Sequence, residues 1–150
     1  MIETPRLVIR PFTAEEREHL LALWLDPANE RVRGDSTPEQ VRAWVAGAPW
    51  GVWEREGGEL VGDCSLHFDT DFQDWELSYG FRRDRWGRGY ATEAARACVR
   101  HAFEQLGIAR IVADVDPANA ASRRVLAKCG FERVRELEDG RLFYAVEAPA

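Results

Sequence analysis

The stretch DRWGRGYATEAARACVRHAFEQLG, Asp84 to Gly107, is the part of the chain that decides its fold. From Tyr90 onward its apolar residues recur at intervals of three and four, the spacing of one face of an α-helix. These positions are Ala91, Ala94, Ala95, Cys98, Val99, Ala102, Phe103 and Leu106. Gly107 is a natural end, because glycine readily takes the left-handed conformation that closes many helices. The stretch therefore predicts a long amphipathic helix that begins directly after a glycine-containing loop.

The loop before this helix has the features of an anion site. A helix N-terminus carries unpaired N–H groups and roughly half a positive charge. Gly87 and Gly89 can adopt the positive φ angles that let an anion approach the backbone. Only Asp84 carries a charge opposite to that of the four arginines in this segment. The four arginines are Arg82, Arg83, Arg85 and Arg88. A plain strand-to-helix turn with solvated arginines is the alternative. The loop fits neither GxxxxGK[ST] nor GxGxxG, so two common phosphate loops are not indicated.

The segments on either side of the loop and helix alternate between strand and helix patterns. Helices are predicted after caps at Thr13 and Thr37. Downstream, an apolar strand at 109–115 and a helix at about 118–129 precede a closing hairpin. Four upstream stretches have strand patterns, and the last three predict an antiparallel run: residues 6–12, 50–55, 59–68 and 74–81. We expect one mixed α/β domain over residues 1–150.

Composition excludes several classes of function. The net charge of −6 argues against nucleic-acid binding, which needs a basic face. Cys64, Cys98 and Cys129 are widely spaced and form no CxxC or Cys/His pattern, so we expect no metal site. The sequence has no signal-peptide pattern and no apolar run of about 20 residues. These observations predict a cytoplasmic protein that binds neither nucleic acid nor a membrane.

The order of the motifs resembles the GNAT superfamily of N-acetyltransferases. WGRGYA, residues 86–91, is similar to the family's coenzyme A loop, Q/R-x-x-G-x-G/A, except that Trp86 stands at its first position. ELVGDCSLHF, residues 59–68, resembles the third strand, and PANAASRRVLAKCGFE, residues 117–132, resembles N-x-x-S-x-x-V/L-L-x-K-x-G-F. A loop with tryptophan at this first position resembles that of the Rim-type branch, which includes ribosomal-protein N-terminal acetyltransferases. The resemblance implies a GNAT fold of the α/β (α+β) class, with a mixed, mostly antiparallel sheet of about six to seven strands and about four helices.

This resemblance implies acetyl-CoA as the acyl donor and indicates where it binds. The pantetheine arm would lie beside the fourth strand, at a splayed edge, and bond with the backbone of Phe81 and Arg83. Asn119 would bind the same arm, and its alternative role is that of a helix N-cap. The pyrophosphate would be held by the backbone N–H groups of one segment, which is Arg88, Gly89, Tyr90, Ala91 and Thr92. The Thr92 hydroxyl would be a further donor.

Glu76 is the candidate general base. It stands in the strand DWELSYGF, residues 74–81, where burial of a carboxyl group would raise its pKa toward values useful for a base. Many family members have a carboxylate at this position, and a solvent-facing glutamate is the alternative. Leu126 replaces the tyrosine that many members use as an acid, and the Rim-type resemblance suggests Ser122 instead. We expect His67 to be structural or to face the substrate.

These residues predict an N-acetyltransferase in which a primary amine attacks acetyl-CoA directly within a ternary complex. The acceptor is left open between a protein N-terminus and a small amine, such as an aminoglycoside or an amino acid. An acidic protein suits a cationic acceptor. A non-catalytic acyl-CoA-binding module of the same fold is the alternative from another class of protein. A homodimer is compatible with these features.

Overall fold

The computed structural model describes residues 1–29, 37–47 and 50–150, in which eight strands form one sheet. The strands are Ile2–Glu3 (β1), Leu7–Pro11 (β2), Trp50–Glu54 (β3), Leu60–Asp69 (β4), Asp74–Phe81 (β5), Arg110–Val115 (β6), Glu132–Glu136 (β7) and Leu142–Glu147 (β8). Their spatial order is β1-β2-β3-β4-β5-β6-β8-β7. Every neighbouring pair is antiparallel except β5 and β6, which confirms the predicted mixed, mostly antiparallel class.

The sheet has one strand more than the six to seven that were predicted. The additional strand is β1, whose two residues, Ile2 and Glu3, pair with Ile9 and Val8 of β2. A strand of two residues has no alternation of apolar and polar side chains, so a sequence pattern cannot reveal it.

Four α-helices accompany the sheet in the described residues: Ala14–Leu25 (α1), Pro38–Gly47 (α2), Tyr90–Glu104 (α3) and Ala120–Lys128 (α4). Helix α1 begins with the predicted capping box, in which Thr13 and Glu16 each accept a hydrogen bond from the other's backbone N–H group. Thr37 and Gln40 form the same pair of bonds at the start of α2. None of the described helices is long and apolar enough to cross a membrane.

Helix α3 packs its predicted apolar face into the main core. The buried residues on that face are Tyr90, Ala94, Ala95, Cys98, Val99 and Ala102. The prediction was wrong at the end of the helix, which stops at Glu104 and leaves Leu106 56% exposed. Gly107, with a φ of 67°, then turns the chain toward β6.

Strands β5 and β6 are paired over only two positions. Trp75 lies opposite Ile111 and Glu76 lies opposite Val112, although β5 continues to Phe81. Beyond Glu76 the two strands are no longer paired, so the sheet opens between residues 77–81 of β5 and residues 113–115 of β6. We call this opening the β5–β6 gap, and it corresponds to the splayed edge that the family resemblance implied.

Candidate active site

The glycine loop joins the end of β5 to α3 through the predicted backbone conformation. Gly87 and Gly89 both have a φ of 79°, and Gly89 is the left-handed N-cap of α3. Within the described residues, no side chain accepts a hydrogen bond from this end of the helix. The N–H groups of the first helical turn are therefore available to an anion or to solvent.

The arginines around this loop are paired more extensively than the sequence indicated. Arg82 makes ion pairs with Asp84 at 2.8 Å and with Glu59 at 3.3 Å. Arg85 makes ion pairs with Glu59 at 2.7 Å and with Glu54 at 3.3 Å. The prediction that only Asp84 opposes the arginines is therefore wrong, because the strand pairing brings acids from β3 and the turn after it to the loop.

The acidic residue in the first turn of α3, Glu93, has its charge balanced. Its carboxylate accepts hydrogen bonds from the Arg6 Nε at 2.7 Å, from the Arg6 backbone N–H at 3.0 Å and from the Thr4 hydroxyl. Burial alone would raise the pKa of Glu93, but the hydrogen bonds from Thr4 and Arg6 outweigh it and lower the pKa. The positive end of the helix therefore keeps its attraction for an external anion.

The edge of β5 that faces the β5–β6 gap presents open backbone groups. The Arg82 N–H donates to the Val61 carbonyl of β4 at 2.8 Å. Since the direction of these groups alternates along a strand, the N–H and C=O groups of Tyr79 and Phe81 and the C=O group of Leu77 point toward the gap. The Leu77 N–H belongs to the pairing of Glu76 with Val112 of β6. An extended ligand in the gap could bond with this edge as a further strand would.

Two backbone groups that were predicted to bind the coenzyme arm already have protein partners. The Phe81 carbonyl accepts a hydrogen bond from the Trp86 indole Nε1 at 2.9 Å. The Arg83 N–H donates to the Asn29 side-chain oxygen at 2.9 Å. A ligand that used either group would have to displace these contacts, so Tyr79 is the position on this edge with both backbone groups beyond the paired part of β5.

Glu76 lies at the closed end of the gap, at the last position where β5 and β6 pair. Its side chain is 14% exposed, and its Oε2 lies 3.4 Å from the Nε2 of His67, directly opposite on β4. Burial raises the pKa of Glu76, His67 lowers it, and the carboxylates of Asp69 and Asp114 raise it further, so that the pKa is raised overall. A raised pKa and a partly buried position suit a general base better than the solvent-facing alternative does.

One group of side chains within the described ranges could hold a metal ion. One ligand atom from each of His67, Asp69 and Glu76 lies within 4.8 Å of the other two. The expectation of no metal site came from Cys and His spacing along the chain. Such spacing does not reveal this group, because its members come from two neighbouring strands. The absence of a metal in the working enzyme stays a prediction.

Ser122 lies in the first turn of α4 and faces β5. Its backbone N–H donates to the Asn119 Oδ1 at 3.0 Å, so Asn119 is the N-cap of this helix. This is the role that the sequence offered as the alternative to binding the coenzyme arm. The Ser122 Oγ lies 2.8 Å from the Tyr79 hydroxyl. Leu126, at the position of the family's tyrosine, is 1% exposed and belongs to the core.

A cavity of about 980 Å³ lies on the other side of the loop, between α3 and the N-terminal residues. Gly89 and Thr92 line it, whereas Glu76 and Ser122 do not. Glu76 and Ser122 therefore lie outside this cavity, on the two elements beside the β5–β6 gap.

A comparison with models of protein families identifies the family of this chain. A model of the acetyltransferase (GNAT) domain matches residues 6–132, which is most of the chain. The chain belongs to the GNAT acetyltransferase family. The family that the motifs predicted is confirmed.

Similar proteins agree with this membership. The FsC-acetyl coenzyme A-N(2)-transacetylase of Aspergillus fumigatus is 31% identical over 176 residues, which cover 97% of this chain and 75% of that protein. The structure of a GNAT-family acetyltransferase from Bacillus anthracis is 25% identical, with a TM-score of 0.81 over 97% of each chain. A ribosomal-protein-S5-alanine acetyltransferase from Vibrio fischeri is 17% identical, with a TM-score of 0.77 over 97% of this chain and 94% of that chain. This third likeness shows a common fold.

In this GNAT protein the predicted site residues lie in two places. The residues from Arg88 to Thr92 form the glycine loop and the first turn of α3, with the half-exposed Arg88 guanidinium 3.9 Å from Glu54. Glu76 and Ser122 lie on β5 and α4, the elements beside the gap. Sequence reasoning missed that His67 contacts Glu76, although a short turn between β4 and β5 would have indicated that the two residues pair.

Proposed function

We propose that this GNAT protein is an N-acetyltransferase that moves an acetyl group from acetyl-CoA to a primary amine by direct attack. One observation carries the proposal: Glu76, 14% exposed, lies at the closed end of the β5–β6 gap, and β5 continues past the gap into the glycine loop and the N-terminus of α3, which no described side chain caps. An acyl-CoA is a ligand of this form, because its pyrophosphate is anionic and its extended arm carries amides. The reacting thioester lies at the far end of that arm.

The two ends of the gap serve different parts of the reaction. The N–H groups from Arg88 to Thr92 bind the pyrophosphate, and the Thr92 hydroxyl is a further donor. The open edge of β5, at Tyr79, positions the arm so that the thioester lies toward Glu76. Asn119 uses its side-chain oxygen as a cap and offers its amide N–H groups to the arm.

Glu76 acts as the general base in this proposal. It accepts a proton from the amine nitrogen as the nitrogen–carbon bond forms, directly or through one water molecule. The carbon–sulfur bond then breaks, and its electron pair leaves on the sulfur. In this proposal Ser122, on α4, donates its hydroxyl hydrogen to that sulfur.

The charges around Glu76 favour a cationic acceptor. Asp69 and Asp114 raise the pKa of Glu76. His67 lowers that pKa, and Arg141 pairs with Asp114. The three carboxylates outnumber the two cationic side chains, so an amine that approaches Glu76 meets an excess of acidic groups. A protein N-terminus and a small cationic amine both meet this requirement. The Aspergillus relative is named as an N(2)-transacetylase, and the Vibrio neighbour as a ribosomal-protein acetyltransferase, so both acceptor classes belong in the test.

The test is thiol release from acetyl-CoA with a panel of amines: a peptide with a free N-terminus, an aminoglycoside, a polyamine and an amino acid. Glu76→Gln should lower kcat by roughly 100-fold or more, since a general base contributes about that factor. Asp74→Asn is the matched control, because Asp74 is a carboxylate on the same strand that pairs with Arg110 at 3.5 Å. Equal activity of wild type and Glu76→Gln would contradict the role of Glu76.

Two further measurements separate the alternatives. Tight coenzyme A binding without turnover of any amine would favour the non-catalytic module. Thermal protection by NAD or ATP, and not by coenzyme A, would favour a nucleotide-binding protein. The assay is run with and without a chelator, and full activity with the chelator is expected, because Glu76 must be free to accept a proton.

A further inference from the structure

The hydroxyl groups of Tyr79 and Ser122 form a contact that no motif in the sequence indicates. The two oxygens are 2.8 Å apart, and the contact joins β5 to the first turn of α4. The Ser122 backbone N–H is held separately by the Asn119 cap at 3.0 Å. The serine is therefore fixed by its backbone on one side and by its hydroxyl on the other.

The position of this pair matters because of the β5–β6 gap. Tyr79 stands in the unpaired part of β5, and its backbone groups point toward the gap. Leu126, the position where many family members have a tyrosine on the helix, is buried in the core. The phenol in this part of the structure therefore comes from the strand and not from the helix.

The two hydroxyls allow an arrangement that leaves the serine proton free. Burial raises the pKa of Tyr79 to about 12, and the contact with Ser122 offsets only part of that effect. Tyr79 therefore keeps its proton at neutral pH. Either hydroxyl can donate in the 2.8 Å contact, and the Tyr79 hydroxyl also lies 3.5 Å from the Ser122 backbone carbonyl. When the Tyr79 O–H donates to the Ser122 Oγ, the serine proton points elsewhere.

We propose that Tyr79 is a positioning residue, which holds Ser122 with its O–H directed into the β5–β6 gap, where it donates a hydrogen bond to the sulfur of the departing coenzyme. This inference rests on the proposed function. The carbon–sulfur bond breaks with its electron pair on sulfur, and the Ser122 O–H stabilises the resulting thiolate. The amine proton goes to Glu76, and Tyr79 neither gains nor loses a proton.

The experiment compares Tyr79→Phe, Ser122→Ala and the double variant with the wild type. Loss of one hydrogen bond to a charged sulfur should lower kcat about tenfold in each single variant, with the KM for acetyl-CoA changed less than twofold. The double variant should be no slower than Ser122→Ala, because both substitutions remove the same interaction. Ser122→Thr keeps the hydroxyl and should retain most of the activity.

A second measurement needs no amine. The ultraviolet absorbance of bound coenzyme A, followed against pH, reports the pKa of its thiol in the complex. Tyr79→Phe and Ser122→Ala should raise this thiol pKa by about one unit, since they remove a donor that favours the thiolate. Tyr144→Phe is the matched control: Tyr144 is a buried tyrosine on β8, and this variant should leave both measurements unchanged.

The outcomes separate this inference from the proposed function. Wild-type values for Tyr79→Phe in kcat and in the thiol pKa would overturn the role of Tyr79, as would additive losses in the double variant. Coenzyme binding without turnover would overturn the transfer reaction alone, since the thiol titration still decides the role of Tyr79. A wild-type protein that binds no coenzyme A would overturn both.

Discussion

Gly89 offers the sharpest test of the anion site, through the substitution Gly89→Val. The glycine has φ 79° and ψ 11°, a left-handed conformation that costs an ordinary L-residue about 1–2 kcal/mol and a β-branched residue more. A Cβ atom at this position would meet the Arg6 Nη2 at 3.5 Å, which is an ordinary contact. The variant should therefore fold, with a strained loop and no steric clash.

The strain acts on the groups that are proposed to bind the pyrophosphate. Relief of the strain requires a negative φ, which rotates the peptide groups next to Gly89 and redirects their N–H groups. Loss of one hydrogen bond to a charged group costs about 1.5–3 kcal/mol. The dissociation constant of coenzyme A should therefore rise at least tenfold, since a factor of ten corresponds to about 1.4 kcal/mol.

Calorimetric titration of coenzyme A into the folded variant measures this change. Gly140→Val is the matched control, because Gly140 has a φ of 90° in open space at the turn before β8. It should lose a similar amount of stability and keep the wild-type affinity. A folded Gly89→Val protein that binds coenzyme A as tightly as the wild type would refute the proposed pyrophosphate site.

Two further predictions follow from the pKa shifts. His67 lowers the pKa of Glu76, so His67→Gln should move the acid limb of the kcat/KM profile toward higher pH; a move toward lower pH would contradict the pairing. The hydrogen bond from Arg10, helped by those from Thr13, lowers the pKa of Glu16 from 4.5 to about 2. A lowered pKa stabilises the fold above the unfolded value, so Glu16→Gln should cost about 1 kcal/mol in urea unfolding at neutral pH. That difference should vanish as the pH falls from 4.5 toward 2, and a difference that grows on acidification would exclude this cause.

The features that the sequence predicted well are local ones. The capping boxes at Thr13 and Thr37, the positive φ angles of Gly87 and Gly89, and the start of α3 at Tyr90 each depend on residues within one or two turns of each other. Their hydrogen bonds close over three or four residues, so the pattern of neighbouring side chains is sufficient to predict them. The seven longer strands were found for the same reason, because alternation, or a continuous apolar run as at 109–115, is a property of each strand by itself.

The contacts that the sequence missed join distant parts of the chain. The pairing of β3 brings Glu54 to Arg85, and the register of β4 and β5 brings His67 to Glu76. No local pattern states the register of two strands unless the turn between them is known. The occupied backbone groups at Phe81 and Arg83 are of the same kind, since their partners depend on how the loop folds back.

By itself, the sequence determined the family, the order of the strands and helices along the chain, and the helix end where an anion can bind. These are set by short-range conformational preferences and by motifs read in order. Only the tertiary structure decided where β5 parts from β6, how deeply Glu76 is buried, and that Tyr79 meets Ser122 across 43 positions of sequence. Those features depend on the packing of whole elements against one another, because burial and long-range contact are properties of the assembled sheet and helices and not of any segment alone.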